Sequence, residues 1–115
     1  MAFKKRNMKC GEPRIEHVGK SITLNGWVQN VRNLGGLIFI DLRDRYGLVQ
    51  LIIEPENQPE LAERATELKQ EFVIWATGDI RKRENPNTKM PTGLVEVLVS
   101  DYGVINRAEL PPFEI

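Results

Sequence analysis

A two-residue alternation of apolar and polar side chains runs through most of this chain and is interrupted once by a helical stretch, and that pattern constrains the fold more than any other feature. The first alternating segment spans about Ser21 to Arg32, with Ile22, Leu24 and Val28 on one face. Gly26 falls inside it, where a bend or bulge would help a sheet curl toward closure. Asn33-Leu34-Gly35-Gly36 supplies a hairpin turn, and a second segment follows from Leu37 to Asp44. Arg45-Tyr46-Gly47 makes the next turn, before a third segment of about Leu48 to Ile53. Pro55 and Pro59 then end the alternation. Proline suits the first turn of a helix, and Leu61, Ala65 and Leu68 recur at helical spacing between Glu60 and Leu68. The fourth strand is predicted over about Phe72 to Arg83 and the fifth over about Leu94 to Asp101, with an extension toward Ile105. A polar loop rich in Asn and Pro, Glu84 to Thr92, separates them.

Three meandering strands, one helix and two more strands describe an all-β chain with a single helix. The order is that of the five-stranded Greek-key OB-fold barrel, whose helix lies between strands three and four. The chain divides accordingly into an N-terminal arm and turn (1–20), the barrel (21–107) and the start of a linker (108–115), where Pro111 and Pro112 disfavour a helix. A length of 115 residues with 41% apolar side chains suits one domain with one core. Cys10 stands alone and so forms no internal disulfide, and with His17 it falls short of a structural zinc site. No apolar run approaches the ~20 residues of a membrane-spanning helix. The basic stretch Met1 to Lys9 lacks the apolar core of a signal peptide, so a cytoplasmic location without a membrane partner is expected. A formal net charge of zero weighs against a binder that relies on a large basic excess for its hold on nucleic acid. It leaves room for base reading within a small patch.

Alternation assigns that patch. If Ile38, Ile40 and Leu42 face the core, then Leu37, Phe39, Asp41 and Arg43 face outward. By the same rule Leu48, Gln50 and Ile52 face out from the third strand, and Glu96 and Leu98 from the fifth. An aromatic ring, an amide and a carboxylate are thereby set outside the barrel. Unstacked bases lie on aromatic rings, the glutamine amide offers a donor and an acceptor, and an ionised glutamate accepts from exocyclic amines and ring N–H groups. Arg32, at the end of the first strand, and Arg81 and Arg83 on the fourth could neutralise phosphates or stack on bases. Taken as residues alone, Phe39 could equally pack beneath a loop or a neighbouring domain, and Gln50 and Glu96 could be plain solvent-facing positions. Trp27 and Trp75 also face away from the apolar rows. They could serve as further stacking platforms, but burial by the helix, the tail or a neighbouring domain is the expectation.

Several segments resemble the N-terminal domain of bacterial-type aspartyl-tRNA synthetases. They are Cys10-Gly11-Glu12, His17-Val18-Gly19-Lys20, Leu24-Asn25-Gly26-Trp27-Val28, the long run from Gly35 to Arg45, and Gly47-Leu48-Val49-Gln50. Farther on come Glu71-Phe72-Val73-Ile74, Asn85-Pro86-Asn87, Pro91-Thr92-Gly93, Val104 to Ala108, and Pro111-Pro112-Phe113. The run around Phe39 is the most specific of these. The resemblance implies that Phe39 stacks on an anticodon base, that Gln50 and Glu96 hydrogen-bond anticodon bases, and that Arg32 lies at the same site. It puts Arg81, Arg83, Asn85 and Asn87 in or beside the loop that approaches the anticodon stem or loop. The implied partner is the aspartate tRNA, whose anticodon is GUC, and the full-length relatives are homodimers. Two departures stand out. Asn30-Val31-Arg32-Asn33 keeps only Arg32 where the family often carries three basic residues, and Leu34 replaces the histidine often found in relatives of relaxed specificity.

The class II catalytic motifs, with their ATP and magnesium sites, lie far downstream in that family and have no counterpart here. A cofactor-free, non-catalytic fragment, cut off before the catalytic domain, is therefore expected. Glu54 and Glu56, near the helix entry without a convergent His or Lys, make a poor catalytic pair. A general single-stranded nucleic-acid binder and a structural or dimerisation module are the alternatives.

Overall fold

The computed structural model describes residues 6–106. The expected linker start at 108–115, and the first five residues of the arm, lie outside the described residues. Five strands form a closed barrel in the order β1-β2-β3-β5-β4: β1 (Ser21–Leu34), β2 (Leu37–Asp44), β3 (Gly47–Ile53), β4 (Val73–Lys82) and β5 (Val95–Asn106). All neighbours are antiparallel except β3 and β5, and β4 closes the barrel on β1. The helix α1 (Pro59–Arg64) lies between β3 and β4. The architecture is the OB-fold expected from the strand order.

Alternation builds the interior. Leu24, Val28, Ile40, Leu42, Val49, Leu51, Ile53, Ile74, Ile80, Val95, Val97 and Val99 are essentially inaccessible to solvent. Proline at the start of α1 fits, because its missing N–H falls among the donors a first turn leaves unpaired. The α-helix is shorter than the Glu60–Leu68 spacing predicts. It tightens into a 3-10 turn over Ala65–Glu67, yet Leu61, Ala62, Ala65 and Leu68 all reach the core. The Gln58 side chain anchors the helix entry, with Nε2 donating to the Val99 carbonyl and Oε1 accepting from the Glu54 N–H.

The β1–β2 hairpin turns through Gly35 and Gly36, both at positive φ (57° and 80°), the paired left-handed geometry whose twist matches the flanking strands. Gly26 has another role than the expected bulge. The irregularity in β1 lies between Val28 and Asn30, whereas Gly26 is where the Arg43 carbonyl of β2 comes so close that a Cβ would sit 2.5 Å from its oxygen. Trp27 also departs from expectation. It is 38% exposed, and only Trp75 is buried. Gly103 of β5 makes room for that indole; a Cβ there would run into the ring. Residues 6–20 run along the barrel. Asn7 pairs with Thr23 at the start of β1, and the Cys10 N–H donates to the Asp44 carboxylate, which also accepts from the Tyr46 and Gly47 N–H groups. Burial, and then Asp44 beside it, push the Cys10 thiol far above its usual value, so it stays protonated and inert.

Gly26→Ala is expected to force β1 from β2 and to destabilise the barrel by about 1–3 kcal/mol. Urea unfolding checks it: the midpoint should fall with the slope unchanged.

Candidate nucleic-acid interface

Cross-strand register brings the outward side chains into pairs. Arg32 of β1 lies opposite Phe39 of β2, Asp41 of β2 opposite Gln50 of β3, and Arg81 of β4 opposite Glu96 of β5. Side chains in such pairs sit within contact distance, and here they link into one chain of hydrogen bonds. An Arg32 amino group donates to Asp41 Oδ1 (3.0 Å) and to Gln50 Oε1 (3.3 Å). Gln50 Nε2 donates to Glu96 Oε1 (2.9 Å). Arg81 donates through Nε to Glu96 Oε2 and through an amino group to Glu54 Oε2, both at 2.9 Å. Asn57 Nδ2 completes the line at Glu54 Oε1. The Arg32 guanidinium also lies 5.5 Å from the centre of the Phe39 ring, within cation–π range.

Gln50 and Glu96 lie on the outer surface, as alternation requires, but they do not face solvent freely. They are only 5% and 6% exposed, and Ile52 beside them is buried as well. The long arginines and the network itself cover them. This fixes the amide: with Oε1 accepting from Arg32 and Nε2 donating to Glu96, one N–H and one acceptor site of Gln50 remain for a ligand. The charges in the network are paired. The Asn57 amide and the Arg81 guanidinium hold the Glu54 carboxyl below its ordinary value. Burial works against the charge of Arg81, but the hydrogen bonds it donates to Glu96 and Glu54 outweigh it and raise its pKa.

Most of these groups, though not Asp41 or Asn57, line an open cavity of about 660 Å³. Arg32, Phe39, Gln50, Glu96, Arg81, Arg83 and Asn85 all border it. Asn87 does not. Its backbone pairs with Gly93, and its side chain accepts from the Lys89 N–H, shaping the β4–β5 loop. Asp41 and Glu54 belong to the network although sequence reasoning gave them no part in it. The signal available was that Asp41 shares the outward row of Phe39. Glu54 had none, because its partner Arg81 is distant in sequence.

The family model for the OB-fold nucleic acid binding domain of the tRNA anticodon type matches residues 22–105. The chain belongs to this family. As such a domain, it is 50% identical to the aspartate–tRNA ligase of Phocaeicola vulgatus over 110 residues and 54% identical to that of Streptococcus thermophilus over 111. Each match covers 96% of this chain and 19% of the relative, so the chain spans about a fifth of their length. Among solved structures, the asparaginyl-tRNA synthetase from Pyrococcus horikoshii complexed with asparaginyl-adenylate superposes with a TM-score of 0.75 at 30% identity, over 90% of this chain and 23% of that one. An OBody bound to hen egg-white lysozyme reaches a TM-score of 0.83 at 22% identity, over 94% of this chain and all of the OBody, a likeness of fold alone.

Because the folded pKa of Glu54 is lowered, its stabilising contribution is complete above the ordinary carboxylate range and is lost as pH falls through the lowered value. Asn57→Ala should move the Glu54 carboxyl titration upward, read by carbon NMR. An unchanged titration would assign the shift to Arg81 alone.

Proposed function

We propose that this OB-fold nucleic acid binding domain reads the anticodon of aspartate tRNA as the N-terminal module of an aspartate–tRNA ligase. The observation that carries this reading is the Phe39 ring set in one cavity with the fixed hydrogen-bonding groups of Gln50 and Glu96. A base stacked on the ring would meet, at its edge, an amide with one donor and one acceptor free and a carboxylate that only accepts. Arg32 and Arg81 act mainly through other residues here: each holds the amide or the carboxylate in place and presents the rest of its guanidinium to the RNA.

The similarity to aspartate–tRNA ligases supports the choice of tRNA, and the pairing of Arg32 and Arg81 with carboxylates at the cavity supports base recognition over a general hold on the backbone. In this reading the activation of aspartate with ATP and magnesium, and pairing into a homodimer, belong to a catalytic domain beyond the barrel, and the whole works in the cytoplasm. Phe39→Ala should weaken binding to the aspartate-tRNA anticodon stem-loop by ~1–3 kcal/mol, or roughly 5- to 150-fold in Kd. Glu96→Gln and Gln50→Ala should reduce the preference for the cognate loop over a scrambled one. Fluorescence titration of both hairpins checks this. Equal affinity for the two hairpins in the wild type would favour a general single-stranded binder, and no binding to either would favour a structural module.

A further inference from the structure

A second cavity, of about 340 Å³, lies farther along the same sheet face. The outward row of β2 runs Leu37, Phe39, Asp41, Arg43, and that of β3 runs Ile52, Gln50, Leu48. The first cavity takes Leu37, Phe39, Ile52 and Gln50, and the second takes Arg43 and Leu48. Phe39 and Arg43 are four positions apart on β2, about 13 Å. OB-folds engage about 4–16 nucleotides each, a length sufficient to span from a base stacked on Phe39 to Arg43.

The charge of the two cavities differs in kind. The first is lined by four cationic and three acidic side chains; Arg32 and Arg81 are held by carboxylates, while Lys82 and Arg83 at its rim have no ion pair among the described residues. The second is lined by Arg14, Arg43 and Lys89 and by no acidic side chain. None of these three is ion-paired among the described residues. The partners of the two arginines are neutral: Arg14 donates to the Gly11 and Pro13 carbonyls, and Arg43 Nε to the Gln29 amide oxygen. Asp44, next to Arg43 in the chain, is buried, accepts from three backbone N–H groups and pairs with Arg6 at 3.7 Å. Tyr46, 49% exposed, adds a ring to the wall, with Lys9 Nζ 4.2 Å and the Arg6 guanidinium 5.5 Å from its centre. Unneutralised cations on neutral anchors suit a ligand that brings its own negative charge and no particular sequence.

We infer that the cavity between the β2–β3 turn and the β4–β5 loop takes the phosphodiester backbone of the nucleotides flanking the bases read at Phe39, with Arg14, Arg43 and Lys89 as the phosphate contacts. This rests on the anticodon reading and extends it: the first cavity selects and the second holds.

Salt dependence tests it with the 115-residue chain and the anticodon stem-loop. Each phosphate contact contributes a slope of about 0.7–0.9 in log K against log salt. Arg43→Gln and Lys89→Gln should each reduce the slope by that amount and weaken binding roughly sixfold at 0.1 M salt, with the same loss for a scrambled loop. Phe39→Ala should lower affinity for the cognate loop and leave the slope as it is. Lys89 is on an exposed loop, so its variant keeps the test valid if Arg43→Gln perturbs the sheet through Gln29. Slopes and affinities unchanged in Lys89→Gln and a folded Arg43→Gln would overturn the phosphate assignment. If Phe39→Ala still lost affinity, the anticodon reading would survive that result; if Phe39→Ala were also silent, the reading itself would fall.

Discussion

Register in a closed sheet is the constraint on which the rest of this molecule depends. With five strands joined edge to edge and the interior filled by alternate side chains, no strand can slip by one residue without turning its apolar row to solvent. The outward side chains inherit that rigidity. Arg32 is beside Phe39, Gln50 beside Asp41 and Arg81 beside Glu96 because the core admits no other alignment. Residues distant in sequence are thus assembled on one face by packing on the opposite one.

The polar network on that face is affordable only because it is complete. A carboxylate as covered as Glu96 would be strongly unfavourable without partners. One oxygen accepts from Gln50 and the other from Arg81, and the arginine is in turn shared with Glu54. Hydrogen bonds to charged groups contribute about 1.5–3 kcal/mol each. Desolvation offsets much of that, so the network does more for geometry than for stability. Ordering a free side chain on binding costs about 0.5–1.5 kcal/mol. Gln50 and Glu96 are already ordered, and a ligand that fits their orientation escapes most of that cost.

Sequence alone carried the elements built on clean alternation. Leu37 to Asp44 was legible to the residue because Ile38, Ile40 and Leu42 are unbroken and the turns on both sides carry glycine. The helix was less so. Leu68 continues the helical spacing, but it reaches the core from beyond a 3-10 turn, and periodicity does not distinguish the two. On the site, alternation found Phe39, Gln50 and Glu96, since a face needs only a strand's own pattern. It could not find that the last two are covered, or that Asp41 and Glu54 hold the arginines, because those facts depend on which strands are neighbours. Trp27 and Trp75 show the same limit: both point outward, and only the glycine across from Trp75 distinguishes the buried ring from the open one.

A net charge of zero is unusual company for a nucleic-acid surface, and the distribution of pairs accounts for it. An arginine held by a carboxylate adds little long-range field, yet it retains N–H groups in a fixed direction. Such a residue serves hydrogen-bond geometry, which is what distinguishes one base from another. An arginine held only by carbonyls keeps its whole charge, and that serves attraction, which does not depend on base identity. Arg32 and Arg81 are of the first kind, and Arg14 and Arg43 of the second. With acids lining the cavity around Phe39 and none lining the cavity beyond, the chain can be neutral overall and still be attractive to an anion at one place on its surface.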